Sequence, residues 1–90
     1  MLILALETST TSAKAMLYCS KDGIIDMITR KYPTEVNNTS IQDSEGVLHE
    51  LAEVSRQICI GRDIELISLS GIWHSLLLCD KNMKAQTKII

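Results

Sequence analysis

Residues 2–14 read LILALETSTTSAK and decide the fold of the chain. They begin with an apolar run of strand length at 2–6, which is typical of a strand covered on both faces. Small hydroxyl residues then dominate 7–12 and favour a turn. A second apolar run follows at 13–19. The segment therefore predicts two strands joined by a hydroxyl-rich hairpin tip.

A third strand is predicted to complete an antiparallel meander. Lys21-Asp22-Gly23 is a turn signal, because Asp-Gly supplies the positive φ of a tight hairpin. Residues 24–32 then have the length and composition of a strand, which ends at Pro33.

One helix is predicted after a polar loop at 34–42. Asp43 or Ser44 is suited to cap its N-terminus, and Gly61 is suited to close it in the left-handed conformation. Between them, apolar residues recur at helical spacing on one face: Val47, Leu48, Leu51, Val54 and Ile58.

Further strands are predicted beyond the helix. Residues 65–70 form a fourth strand, which a helical crossover can return parallel to the first. A turn at 70–74, a fifth strand at 75–79 and a last short strand near 87–90 follow. Three strands, a helix and further strands are the order that opens the ribonuclease H-like fold of actin-like ATPases, an α/β fold. Many α+β domains share this order, so the motifs have to decide between them.

The composition argues against several classes of protein. Hydrophobic residues make up 46% of the 90 residues, which favours a folded unit. The formal net charge is -2 without a cluster of Lys and Arg, which argues against nucleic-acid partners. No apolar run approaches the roughly 18 residues of a spanning helix, and the opening run is too short for a signal peptide. We therefore expect a cytoplasmic protein without membrane partners. Cys19, Cys59 and Cys79 lie widely spaced in apolar runs and are expected to be buried, reduced thiols.

The hairpin tip has the chemistry of a phosphate site. Small residues let backbone N–H groups and hydroxyls approach phosphate oxygens. Glu7 at the end of the strand can hold a hydrated Mg²⁺ on those phosphates, and Lys14 adds a positive charge. The alternative is an ordinary Ser/Thr-rich turn with a solvated lysine, and local composition alone slightly favours that alternative.

Two blocks of the sequence resemble the FGGY family of carbohydrate kinases. Residues 3–15, ILALETSTTSAKA, are similar to the family's opening strand followed by Asp-x-Gly-Thr-Thr-Ser, one residue, and Lys or Arg. Residues 67–80, ISLSGIWHSLLLCD, resemble its strand, Ser-Gly turn, Met-His pair and apolar strand ending in Asp. Tyr-Pro at 32–33 and Gln-Asp at 42–43 match family positions between the blocks. The resemblance covers the whole chain in register.

The resemblance implies the roles of five residues in the first block. Thr10, Thr11 and Ser12 correspond to contacts with the phosphates of ATP. Lys14 corresponds to the basic residue beside them, and Glu7 to the Asp that helps to position Mg²⁺.

Two positions of this block depart from the family. Glu7 is one methylene longer than Asp, which moves a carboxylate where misplacement is costly. Ser9 replaces a Gly and adds a Cβ where the backbone approaches phosphate or takes a positive φ.

Trp73 and His74 lie on the predicted turn between two apolar strands. An imidazole can hydrogen-bond sugar hydroxyls, and an indole face can pack on a carbohydrate ring. From the residues alone, a core Trp and an exposed turn His are the favoured alternative. The family's Met-His pair borders the sugar pocket, so the resemblance implies that Trp73 and His74 bind the substrate.

The resemblance implies an ATP- and Mg²⁺-dependent kinase that phosphorylates a hydroxyl of a sugar or sugar acid, gluconokinase-like first and xylulokinase-like second. Residues 1–90 would be the N-terminal portion of its first domain. The family's general base, an Asp, lies far downstream, so we expect the chain alone to be inactive.

Two other classes stay open. A non-catalytic interaction module of the same fold would expose sheet edges, through which we expect a homodimer. The tRNA threonylcarbamoylation family shares the superfold and a similar opening block. The dipeptides at 32–33 and 73–74 fit that family poorly, so it ranks third.

Overall fold

A four-stranded mixed sheet carries one helix on one of its faces. The computed structural model describes residues 1–34, 36–38, 41–71, 75 and 77–89. The elements are β1 Leu2–Thr8, β2 Ser12–Cys19, β3 Gly23–Lys31, β4 Asn37–Asn38, β5 Ile41–Gln42, α1 Ser44–Ile58 and β6 Leu66–Ser70.

The strands of the main sheet lie in the order β3-β2-β1-β6, and β4 and β5 form a separate two-stranded ladder. Neighbours β1 and β2, and β2 and β3, pair antiparallel, which confirms the predicted meander. The chain then crosses over through α1, and β6 pairs parallel with β1 from Ile3 opposite Leu66 to Glu7 opposite Ser70. The predicted helical crossover is therefore confirmed as well.

Two glycines lie where the backbone adopts a positive φ, a conformation that other residues rarely adopt. Gly23 has a φ of 79° after the Lys21-Asp22 turn, and Gly61 has a φ of 69° shortly after the helix. A side chain at either position would be strained even though nearby space is open. Both turns agree with their sequence signals.

Helix α1 begins at its predicted cap. The carboxylate of Asp43 accepts a hydrogen bond from the backbone N–H of Gly46 at 3.1 Å, satisfying one free donor of the first turn. The helix then packs on β1 and β2. Ala13 and Ala15 are fully buried there, and their small side chains leave room for Val54 and Ile58.

The predicted burial of Leu48 is wrong. Leu48 was expected on the buried face, but 65% of its surface is exposed. Successive helical residues are about 100° apart, so the buried stripe through Val47, Val54 and Ile58 leaves Leu48 to one side. There it lines a largely apolar groove of about 650 Å³ between α1 and the segment 77–89.

The fifth strand predicted at 75–79 is also wrong at its described positions. Ser75, Leu77 and Leu78 have no strand conformation, and Cys79 makes only an isolated bridge with Ala85. After Cys79 the chain reverses direction, because the Asp80 carboxylate accepts hydrogen bonds from the N–H groups of residues 82 and 84 at 2.8 and 2.9 Å. It therefore does not extend along a neighbouring strand there.

The end of the chain differs in a similar way. Near 87–90, Ile89 forms an isolated bridge with Gln42 rather than a strand, and position 90 lies outside the described residues. The three thiols are free; Cys79 is exposed and Cys19 and Cys59 are half-buried, contrary to the expectation of burial. Within the ranges that the structure describes, no helix is both long and apolar enough to cross a bilayer.

A glutamate and a tyrosine are buried where β3 meets α1. Glu50 is only 5% exposed and forms an ion pair with Arg30 of β3. Tyr32 follows β3, and its buried hydroxyl has no hydrogen-bond partner among the described residues. Burial, and secondarily the charge of Glu50, raises the pKa of Tyr32 to about 12.

We expect Ile58→Ala to lower the free energy of unfolding by about 2–5 kcal/mol, because it leaves a cavity in the core. Urea unfolding followed by circular dichroism measures the loss. Ile60→Ala is the matched control, since Ile60 is 75% exposed whereas Ile58 is fully buried. Its effect should stay within about 0.5 kcal/mol. Equal losses in the two variants would contradict the placement of the core.

We expect the chain to lose stability in alkali through Tyr32. The Tyr32 hydroxyl loses its proton near pH 10.0 in the unfolded chain and only near pH 12 in the folded chain. Its contribution to the free energy of unfolding is therefore complete below pH 10.0 and is lost as the pH rises from 10.0 to about 12. Urea midpoints recorded against pH measure the decline. Tyr32→Phe should flatten it, whereas Tyr18→Phe, at a 39% exposed tyrosine, should not. An unchanged slope in Tyr32→Phe would refute the assignment.

Candidate functional site

The hydroxyl-rich segment forms the tip of the β1–β2 hairpin. Thr8 and Ala13 are the last partners of the ladder, and the N–H of Ser9 donates to the carbonyl of Ser12 at 2.9 Å. Thr10 and Thr11 occupy the end of this turn, and both are exposed. The predicted tip is thus confirmed as a structure, with two threonines at its outermost point.

Ser9 closes the turn with its own side chain. Its Oγ accepts from the N–H of Ser12 at 3.1 Å and lies 3.1 Å from the Ser12 hydroxyl. Among the described residues other than glycine, Met83 alone has a positive φ, so Ser9 does not adopt the conformation that favours glycine. The backbone strain expected from Ser in place of Gly is therefore absent.

Ser12 is held differently from the two threonines. It is only 7% exposed, and its hydroxyl is already engaged with Ser9. To donate to a phosphate, that hydroxyl would have to give up any hydrogen bond that it donates to Ser9, because it has a single hydrogen. Thr10 and Thr11 need no such exchange to meet a ligand from solvent, because they stand outside the turn.

Glu7 and Lys14 face each other across the ladder, on the side of the sheet away from α1. Both are exposed, and Glu7 is also in register with Ser70 of β6. A cavity of about 310 Å³ lies between these strands. Its polar rim comprises Glu7, Lys14, Ser68 and Ser70, and its apolar lining comprises Ala5, Leu6, Met16 and Met27.

This arrangement fits a polyphosphate with its magnesium ion in part. Two exposed threonines and a lysine supply donors, and Glu7 supplies one carboxylate. In the part of the chain that the structure describes, no group of three His, Cys, Asp or Glu residues could hold a metal by itself. A magnesium ion here would accordingly depend on phosphate oxygens and water for most of its ligands, which is its usual preference.

Gln42 supports the tip from below. Its side chain is buried, and its Nε2 donates to the carbonyl of Thr10 at 3.1 Å and to that of Ser9 at 3.4 Å. The sequence singled out Gln42 only as half of a family-like Gln-Asp pair before the helix. The only signal in the sequence for this contact with the tip was an amide side chain next to the residue that caps the helix.

The second predicted block reaches the same end of the sheet. Since β6 is parallel to β1, Ser70 stands beside Glu7, and a Cβ built on Gly71 would lie 3.6 Å from the Thr8 hydroxyl. Trp73 and His74, the predicted substrate residues, lie outside the described residues. The structure brings Glu7, Thr10, Thr11 and Lys14 together at one hairpin.

Comparison with known proteins gives structural matches. No family model and no curated protein sequence matches the chain. A gluconate kinase from Lactobacillus acidophilus matches 99% of it with a TM-score of 0.84 and 22% identity, covering 19% of the kinase. A xylulose kinase from the same organism matches 99% with a TM-score of 0.81 and 21% identity, covering 19% of that chain. A protein described as a xyloylose kinase from Brucella ovis matches 100% with a TM-score of 0.86 and 19% identity, covering 20%.

These matches concern the backbone of the whole chain, which spans about one fifth of the length of the kinases. At such identities they show the fold, and they confirm at that level the resemblance to FGGY sugar kinases. The chain has the actin-like ATPase fold of the N-terminal domain of sugar kinases.

Proposed function

We propose that the chain is the phosphate-loop portion of an ATP-dependent kinase of the FGGY family that acts on a sugar or sugar acid, gluconate ahead of xylulose. One observation carries the proposal. The exposed Thr10-Thr11 tip stands beside the facing pair Glu7 and Lys14, in a fold shared over the whole chain with gluconate and xylulose kinases.

The residues of the tip have distinct tasks in this proposal. Thr10 and Thr11 donate hydroxyl hydrogen bonds to phosphate oxygens, and Ser12 joins them on release from Ser9. Lys14 places a positive charge beside them, and Glu7 orients water around the magnesium ion. Bound Mg-ATP would supply the phosphoryl group, which passes to a substrate hydroxyl as its bond to ADP breaks and the hydroxyl proton goes to the general base. The work of the protein is therefore positioning and neutralisation of charge.

The remaining parts of the site complete the same proposal. Trp73 and His74, which follow β6 in the sequence, would contact the sugar. Residues 1–90 would be the N-terminal portion of the kinase's first domain, with the general base supplied by another part of the enzyme. By itself the chain is then inactive, and its expected location is the cytoplasm.

A non-catalytic interaction module is the second candidate. The contact between the Ser9 and Ser12 hydroxyls favours it, because it engages a hydroxyl that the catalytic proposal requires. The two candidates differ in whether the tip contributes to phosphoryl transfer when the rest of a kinase is present.

A chimera tests this difference. This chain would replace the matched fifth of the Lactobacillus acidophilus gluconate kinase, and phosphorylation of gluconate would be measured. We expect an active chimera. Thr10→Ala with Thr11→Ala should lower its kcat/KM for ATP about 10–100-fold, because hydrogen bonds to charged phosphates are lost.

Thr29→Ala is the matched control, since Thr29 is an exposed threonine of β3 and should leave kcat/KM unchanged. A folded but inactive chimera, or an active one that ignores both tip substitutions, would favour the interaction module. For the chain alone, calorimetry with Mg-ATP and gluconate should detect no binding. Tight ATP binding would show that the tip needs no further part of the enzyme.

We propose that the isolated chain forms a homodimer through its sheet edges. The single chain has a solvent-accessible surface of 6348 Å², whereas a folded monomer of this mass is expected to have about 5,200 Å². The excess of about 1,100 Å² is comparable to one partner's share of a standard interface, about 800 Å².

The two edges of the sheet differ in how well they resist pairing. Edge strand β3 carries the charged residues Asp26, Arg30 and Lys31, which discourage further strands. Edge strand β6, LISLS, has no charge and no proline, and all five of its residues are exposed. Two copies of β6 paired antiparallel about Ser68 would place Ile67 opposite Leu69 of the second copy.

We expect the chain to sediment as a dimer at high concentration and Ser68→Lys to sediment as a monomer. The substitution would set two lysines directly opposite each other at the centre of the paired strands. Thr29→Lys, which adds the same charge to the β3 edge, should leave the dimer intact. A monomeric wild-type chain, or a dimer disrupted by both substitutions equally, would count against the β6 interface.

A further inference from the structure

Gln42 is connected to three parts of the molecule at once. Its side-chain Nε2 donates to the carbonyls of Thr10 and Ser9, at 3.1 and 3.4 Å. Its backbone N–H and C=O bond to Ile89, at 3.0 and 2.8 Å. The next residue is Asp43, whose carboxylate caps α1. The hairpin tip is thus attached to the start of the helix through a single side chain.

The burial of Gln42 makes these bonds consequential. It is 5% exposed, so water does not replace a lost partner freely. A carboxamide NH₂ group has two hydrogens, and the two tip carbonyls provide an acceptor for each. Unpairing either side would leave a buried polar group unsatisfied.

Fixing the two carbonyls also fixes the direction of two N–H groups. The described peptide bonds contain no cis isomer, and in a trans peptide the C=O and the following N–H point in opposite directions. When the carbonyls of Ser9 and Thr10 point toward Gln42, the N–H groups of Thr10 and Thr11 point away from it, and the N–H of Thr11 donates to the Ser9 Oγ at 3.4 Å. Phosphate oxygens bind backbone N–H groups of this kind, and the Thr11 N–H would exchange its bond to Ser9 on meeting one.

We propose that Gln42 is a positioning residue that presets the backbone of the hairpin tip for an anionic ligand. The identity of that ligand as a nucleotide phosphate rests on the function proposed above. The clamp itself is a property of the chain without ligand, so its test needs no nucleotide and no kinase activity.

Hydrogen exchange of the wild-type chain provides the first measurement. The side-chain amide protons of Gln42 should exchange at least about tenfold more slowly than those of Gln57, because the former are buried and bonded and Gln57 is exposed on α1. Equal exchange of the two amides would overturn the proposal without any substitution.

Gln42→Glu provides the second measurement, because it keeps the shape and removes both donors. At neutral pH the protection of the Ser9 and Ser12 backbone amides should fall about five- to tenfold relative to wild type, while that of core helix residues such as Val54 stays unchanged. Below about pH 4.3 the protonated carboxyl regains one donor, so part of the protection should return.

Gln42→Met is the control for that rescue. It should lose the same protection but show no recovery in acid, since it has no group to protonate. Unchanged tip protection in Gln42→Glu, an equal loss in α1, or the same acid response in Gln42→Met would each reject the clamp. Failure of the kinase proposal would leave these exchange rates as they are, so the two outcomes are separable.

Discussion

The structure depends on the pairing of β1 on both of its edges. One edge bonds antiparallel to β2 and the other bonds parallel to β6. A central strand of this kind must be apolar on both faces, and the sequence LILALET meets that demand until Glu7. Because β1 is flanked on both sides, the hairpin tip that follows β1 and Gly71, which follows β6, lie at the same end of the sheet.

Hydrogen bonds within the turn and from neighbouring residues hold the hairpin tip in place. Ser9 bonds within the turn, Gln42 holds the carbonyls from below, and the N–H of Tyr32 donates to the carbonyl of Thr11 at 2.9 Å. What remains for a ligand is the outer side of the turn, with its two threonines. This division between an inner supporting set and an outer contacting set is common where a rigid scaffold presents a loop.

Much of this architecture could be predicted because its signals are local. The first three strands, the helix cap at Asp43 and the left-handed glycines 23 and 61 each follow from a short stretch of sequence. Leu48 and the described positions of the apolar run at 75–79 were predicted wrongly because their burial and pairing depend on what packs beside them, which periodicity does not encode. The support from Gln42 was missed for the same reason, since it joins residues more than thirty positions apart.

Ser9 has a consequence for how such hairpins are recognised. Sequence definitions of phosphate-binding turns commonly demand glycine where the chain reverses, on the assumption that only glycine adopts the required backbone. Here a hydroxyl closes the turn without a positive φ, and the chain still matches the gluconate kinase over 99% of its length with a TM-score of 0.84. A definition written in terms of turn closure, by glycine or by a serine side chain, would retain this hairpin as a candidate, and one written in terms of glycine alone would discard it.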